Sequence, residues 1–155
     1  MKSSGIKICF VVMLFLLCSC GGASSKTLDI DVFAKNTVAQ VDFGDELILL
    51  SDNIASDYYD LSFAGLEQYA IYVSSTSATA SELAVFKCKD NTALNAAKLA
   101  VETRIADQVS NYENYRPDEK FRLENALVEA KDNYLLFAVS NDNSAIQKLF
   151  NEQLK

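Results

Sequence analysis

Fourteen basic side chains against 21 acidic ones give this 155-residue chain a net charge of −7, and it contains no histidine. Clustered Lys and Arg must meet a phosphate backbone, so the balance argues against a nucleic-acid partner. The missing imidazole removes the usual general base for Ser or Cys nucleophiles, and with it every HExxH zinc site.

Met1-Lys2 and Lys7 precede an uncharged run over residues 8–17, which ends at Cys18-Ser19-Cys20. This is a signal-peptide pattern. The run is about half of the ~20 apolar residues that a spanning helix needs. Leu17-Cys18-Ser19-Cys20 resembles the bacterial lipobox, in which a branched apolar residue stands three places before an obligatory cysteine. The resemblance implies cleavage between Ser19 and Cys20, with Cys20 lipidated through a diacylglyceryl thioether. An uncleaved helix and an ordinary secretory signal cut nearby are the competing readings. One acyl chain binds a membrane marginally, at ~0.8 kcal/mol per buried methylene, whereas two or more hold a protein stably. The expected partner is therefore a lipid bilayer, held through the Cys20 acyl chains at the extracytoplasmic face of the cell membrane.

Residues 1–19 would be the signal peptide, residues 20–27 the lipidated cysteine and a Gly/Ser spacer, and residues 28–155 a single domain. Loss of the signal takes Lys2 and Lys7 and no acid, leaving 12 cations against 21 anions. Such a body is repelled by an anionic bilayer, which suits a tether. Of four cysteines, Cys9 and Cys18 leave with the signal and Cys20 is alkylated. Cys88 alone keeps a thiol, so no intrachain disulfide is expected, and its strand-like context reads as a small buried hydrophobe.

In chain order, Ile30, Phe33, Ala34, Thr37, Val38 and Val41 repeat at three and four, predicting an amphipathic helix stopped at Gly44. Asp29 and Asp31 read as helix-start residues, because a calcium loop would need a glycine and a distal glutamate that are missing. Residues 47–50 are apolar without a clear period. Residues 52–59 predict a short helix presenting Ile54 and Tyr58, and residues 61–66 a connection. Alternation at Tyr69, Ile71 and Val73, a polar stretch at 75–81 and the run Leu83-Ala84-Val85-Phe86 predict a hairpin. Asp90-Asn91-Thr92 caps a long helix with the stripe Leu94, Ala97, Val101, Ile105, Val109 and Tyr112. Pro117 followed by two acids opens a further short helix. Residues 126–130 and 134–140 predict a second hairpin, and Asp142-Asn143-Ser144 caps a last helix burying Ile146, Leu149, Phe150 and Leu154.

Leu83 through Leu94 matches Leu135 through Ile146 at a constant offset of 52, a candidate repeat of two ββα-like units. Strand-to-helix junctions favour Asp, Asn, Ser and Thr in any protein, so chance convergence is the competing reading. Either way the expected class is α+β: a four-stranded antiparallel sheet with helices packed on one face, plus the N-terminal helix.

Several short stretches, among them Glu67 to Ser74 around Tyr69-Ala70-Ile71-Tyr72, Ser81-Glu82-Leu83, Arg104 with Gln108, Tyr115-Arg116-Pro117 and Asn133-Tyr134-Leu135, resemble the bacterial family known as domain of unknown function 4358. The resemblance implies a small lipoprotein and supplies no activity. Asp132 departs from it, standing where the family more usually has glycine. The residues it singles out are Glu82, Arg104, Gln108, Tyr115 and Pro117, with Arg104 expected to bridge to an acid such as Glu82.

No GxGxxG or GxxxxGK[ST] occurs and the chain has five glycines, so no cofactor is expected, and no catalytic or metal-binding residues are assigned. The leading functional expectation is a non-enzymatic surface module for a protein or cell-wall partner. Tyr58, Tyr59, Tyr72, Tyr112 and Tyr115 are its candidate recognition groups. One alternative is a glycan hydrolase using paired carboxylates among Asp52, Asp57, Asp60 and Glu82. Another is the substrate-capturing component of a transporter.

Overall fold

A computed structural model describes residues 27–155. The signal, the cleavage site at Ser19 and Cys20, and most of the spacer lie outside the described residues. Helix α1 (Ile30–Gln40) leads into strand β1 (Leu47–Leu49) and helix α2 (Asp52–Tyr59). After a 3-10 turn come the hairpin β2 (Leu66–Ser74) and β3 (Glu82–Cys88), the long helix α3 (Asn91–Tyr112) and the short α4 (Pro117–Glu124). A second hairpin, β4 (Leu127–Lys131) and β5 (Tyr134–Val139), and helix α5 (Asn143–Gln153) complete it. The strands form one antiparallel sheet in the order β1-β2-β3-β5-β4.

The α+β class is as expected, but the sheet has five strands, not four. The fifth is β1, whose Leu47, Ile48 and Leu49 pair with Ser74, Val73 and Tyr72. Three residues at a sheet edge, with Ile48 and Leu49 both about half exposed, carry no alternation that a period could reveal.

The second correction concerns the layers: helices cover both faces of the sheet. Ala84, Phe86, Leu135 and Phe137 pack with α2 and α3, while Leu83, Val85, Leu136 and Ala138 pack with α1 and α5. Strands buried on both sides read as continuous apolar runs. The runs Leu83-Ala84-Val85-Phe86 and Tyr134 to Val139, buried throughout, are therefore the sequence trace of this arrangement. Phe33 of α1 and Phe150 of α5 meet with ring centroids 5.9 Å apart and close the second layer.

The helix starts are as read. Asp29 accepts from the Val32 N–H, Asp90 from that of Ala93, and Asp142 from that of Ala145. Two details differ. Helix α1 ends at Gln40, and Gly44 (φ +76°) instead turns the following loop, its N–H donating to Asp42. Helix α2 buries Ala55 and Tyr59, leaving Ile54 47% exposed. The 52-residue repeat fails structurally: Leu83 and its match Leu135 point to opposite faces, and α3 and α5 pack on opposite sides. A two-fold relating β3 to its antiparallel neighbour β5 would leave both helices on one side, so the match reflects junction chemistry.

Candidate functional site

One end of the sheet gathers most of the buried polar chemistry. The β2–β3 loop, residues 75–81, closes where the Ser74 N–H donates to the Ser81 carbonyl. Asp45, just before β1, accepts from the hydroxyls of Ser74 (2.6 Å), Thr76 (2.8 Å) and Thr79 (3.1 Å). These bonds, the Ser74 hydroxyl first, hold its carboxyl below the usual range. On the other side α4 clamps the loop. Glu119, buried, accepts from the Ala80 N–H at 2.8 Å and from Arg122 at 2.7 Å, while Arg122 also donates to the Phe43 carbonyl and the Ser81 hydroxyl. Arg116 donates to the Ala78 carbonyl and Tyr112 to that of Ser77, which sits at φ +56°. A left-handed serine in a polar loop persists because its neighbours are fixed on both sides.

At the base of the loop lies a buried ion pair. Glu82, the first residue of β3, takes a forked set of bonds from Arg104 of α3: Nε reaches both oxygens at 3.0 Å and Nη2 reaches Oε2 at 2.8 Å. Tyr59 donates its hydroxyl to Oε1, and the Tyr58 ring stacks on the guanidinium, 3.6 Å from Cζ to the centroid. Burial alone would lower the Arg104 pKa, but the Glu82 charge, the hydrogen bonds to it and the neighbouring tyrosines together outweigh that, and the guanidinium is held more firmly protonated. For Tyr59, burial and then the Glu82 charge push the phenol well above its ordinary value. Tyr58 moves the same way for the same two reasons.

Arg104, Gln108 and Tyr112 stand at i, i+4 and i+8 of α3, one row on one helix face. Gln108 and Tyr112 of this row, with the hairpin, line a cavity of about 90 Å³ whose lining also includes Tyr58, Val73, Thr79, Ala80 and Glu82, the partner of Arg104. Three of the five residues singled out in the sequence, Glu82, Arg104 and Gln108, therefore converge, and the bridge expected of Arg104 is present. The other two do not join them. Tyr115 stands 73% exposed between α3 and α4, and Pro117 is the first residue of α4, where its missing N–H costs nothing.

The four carboxylates considered for hydrolysis do not assemble. Asp52, Asp57 and Asp60 lie exposed on or beside α2, Asp52 accepting from Tyr69, whereas Glu82 has both oxygens engaged. Among the described residues no group of three His, Cys, Asp or Glu could hold a metal ion. Sequence reasoning missed Glu119 and Arg122. Their i, i+3 spacing in a short helix is that of any surface pair, and only Leu123, one turn after Glu119, marks that face as inward.

A small α+β domain with a neutralised ion pair beneath a polar hairpin cavity is the class defined by fold and site. The chain belongs to the family described as a domain of unknown function (DUF4358), whose pattern it matches over residues 39–140, a span that includes every residue of the cavity and its clamps. No curated protein and no solved structure matches it.

Proposed function

We propose that this protein is a lipid-anchored extracytoplasmic binding module that presents its β2–β3 hairpin end away from the bilayer. The observation that supports this reading is the placement of the chain's entry. The Leu28 N–H donates to the Tyr134 hydroxyl, and Tyr134 pairs with Lys87, near one end of β3. Glu82 pairs with Val139 at the other end. Strand β3 spans seven residues, so about 20 Å of sheet separates the tethered end from the cavity. A spacer of residues 20–27 reaches at most ~3.6 Å per residue, so the Leu28 end stays within about 29 Å of the membrane while the hairpin end can stand ~20 Å farther out.

The enzyme reading lacks comparable support, since the one carboxylate at the cavity is locked by Arg104 and Tyr59. The transporter reading lacks, among the described residues, a second lobe to close on a ligand.

Mass spectrometry of the purified mature protein tests the anchor: an acylated Cys20 at the N-terminus is expected, and an intact Met1 or an unmodified Cys20 overturns it. For the display, a photo-crosslinker placed at Thr76 is expected to capture a surface partner that one at Asp132 does not. Equal capture from both positions, or the same partners with Cys20→Ala, would remove the role assigned to orientation.

A further inference from the structure

The chemistry of the hairpin cavity narrows what it takes. Glu82, the charged side chain among the lining residues, is neutralised by Arg104, so an incoming ammonium or carboxylate would find no unpaired counter-charge in the lining itself and would lose hydration there uncompensated. A neutral group meets no such penalty. Along the α3 row Arg104 donates to Glu82 and Tyr112 to the Ser77 carbonyl, whereas Gln108 between them lines the cavity with a side chain that carries donor and acceptor together. Val73 and Ala80 are the apolar members of a lining otherwise made mostly of hydroxyl-bearing side chains, Tyr58 and Tyr112 among them.

Size narrows it further. At ~30 Å³ per water, about 90 Å³ holds some three waters or a group of about four heavy atoms, too little for a whole sugar ring. The rim residue Ser77 is exposed, so a substituent can enter while the body of the ligand stays outside. A neutral group of that size with an amide at one end and a methyl at the other is an acetamido group.

We propose that the cavity binds the acetamido substituent of an N-acetylated amino-sugar glycan, its amide paired with Gln108 and its methyl against Val73 and Ala80. This rests on the reading of the domain as a surface binding module and names the ligand class of that cavity.

The test is a calorimetric titration of the full chain in detergent micelles with the N-acetylglucosamine trimer and with its deacetylated counterpart. High salt screens the attraction of the cationic deacetylated sugar to an acidic protein. Saturable binding of the acetylated trimer is expected, with affinity about ten-fold lower for the deacetylated one, or about 1.4 kcal/mol. Gln108→Ala and the near-isosteric Gln108→Glu should each lose about ten-fold as well, while Asn95→Ala, on an exposed part of α3, should not. No saturable binding of the acetylated trimer, equal binding of both trimers, or an unchanged affinity in folded Gln108 variants overturns the proposal. If crosslinking from Thr76 still captures a partner in that case, the ligand class alone is wrong; if capture fails too, the module reading falls with it.

Discussion

At the scale of single residues, Arg104 is the side chain whose removal should cost most. Its loss leaves the Glu82 carboxylate buried at 3% exposure with one neutral phenol for company, and stranding one member of a buried pair costs ~3–5 kcal/mol. Arg104→Ala should therefore lower the urea midpoint sharply. The double change Glu82→Met with Arg104→Met should recover much of the loss, because a well-packed apolar pair needs no desolvation of charge; a double variant as weak as the single would contradict this. The tyrosines give a pH signature. Tyr58, Tyr59 and Tyr112 all have phenol pKa values raised by burial first, so the folded state keeps those protons longer than the unfolded chain does. Their contribution is complete below the ordinary value of 10.0 and is lost as pH rises past it. An alkaline titration followed by phenolate absorbance should show these groups ionising together with the loss of far-UV structure. Of this cluster, Glu82 and Arg104 were legible in the sequence. Tyr59 was legible only as an aromatic, because which ring reaches a buried acid depends on how α2 crosses α3.

Among the elements, the two hairpin turns behave differently. The β4–β5 turn has two residues, and Asp132 at the first carries φ +52° while Asn133 does not share the positive sign. Glycine is favoured at that first position, which gives a physical reason for the residue that the family more usually places there. Asp132→Gly should accordingly be neutral or stabilising by up to ~1 kcal/mol in thermal unfolding, whereas Gly44→Ala, forced at φ +76° with Asn141 3.1 Å from the new methyl, should destabilise. The β2–β3 loop depends on Asp45, whose carboxyl is held low by the hydroxyls it accepts. Its contribution is present above the ordinary value of 3.8 and is lost as pH falls through the depressed one, so the loop should become protease-sensitive in acid, and Asp45→Asn should bring that sensitivity to neutral pH. Helices and central strands were readable here because each carries a period or a cap. Strand β1 was not, since its place is set by partners on β2, and the double-sided layering was visible only as unbroken apolar runs in β3 and β5.

For the whole molecule, the family match over residues 39–140 leaves out α5 and nearly all of α1, yet these two helices cover one complete face of the sheet. Ile146 and Phe150 are fully buried in that layer, each contributing ~1.5–3 kcal/mol. A fragment limited to residues 39–140 should therefore bind a hydrophobic dye and lack a cooperative melt, and a sharp thermal transition in it would show the second layer to be dispensable. Single-sequence reading placed both helices but set α5 on the same face as α3, because its own stripe says only that it packs, not on which side of the sheet. The free thiol among the described residues, Cys88, lies with no exposed surface at the end of β3, where its amide donates to the Asn133 carbonyl and its own carbonyl accepts from the Asn133 side chain. Alkylation at this sulfur requires the layer packed over the end of β3 to open, so the rate at which an iodoacetamide reagent modifies the native protein reports that opening. Nature has thereby left a chemical stopwatch inside the sheet, readable by mass in any variant without adding a label.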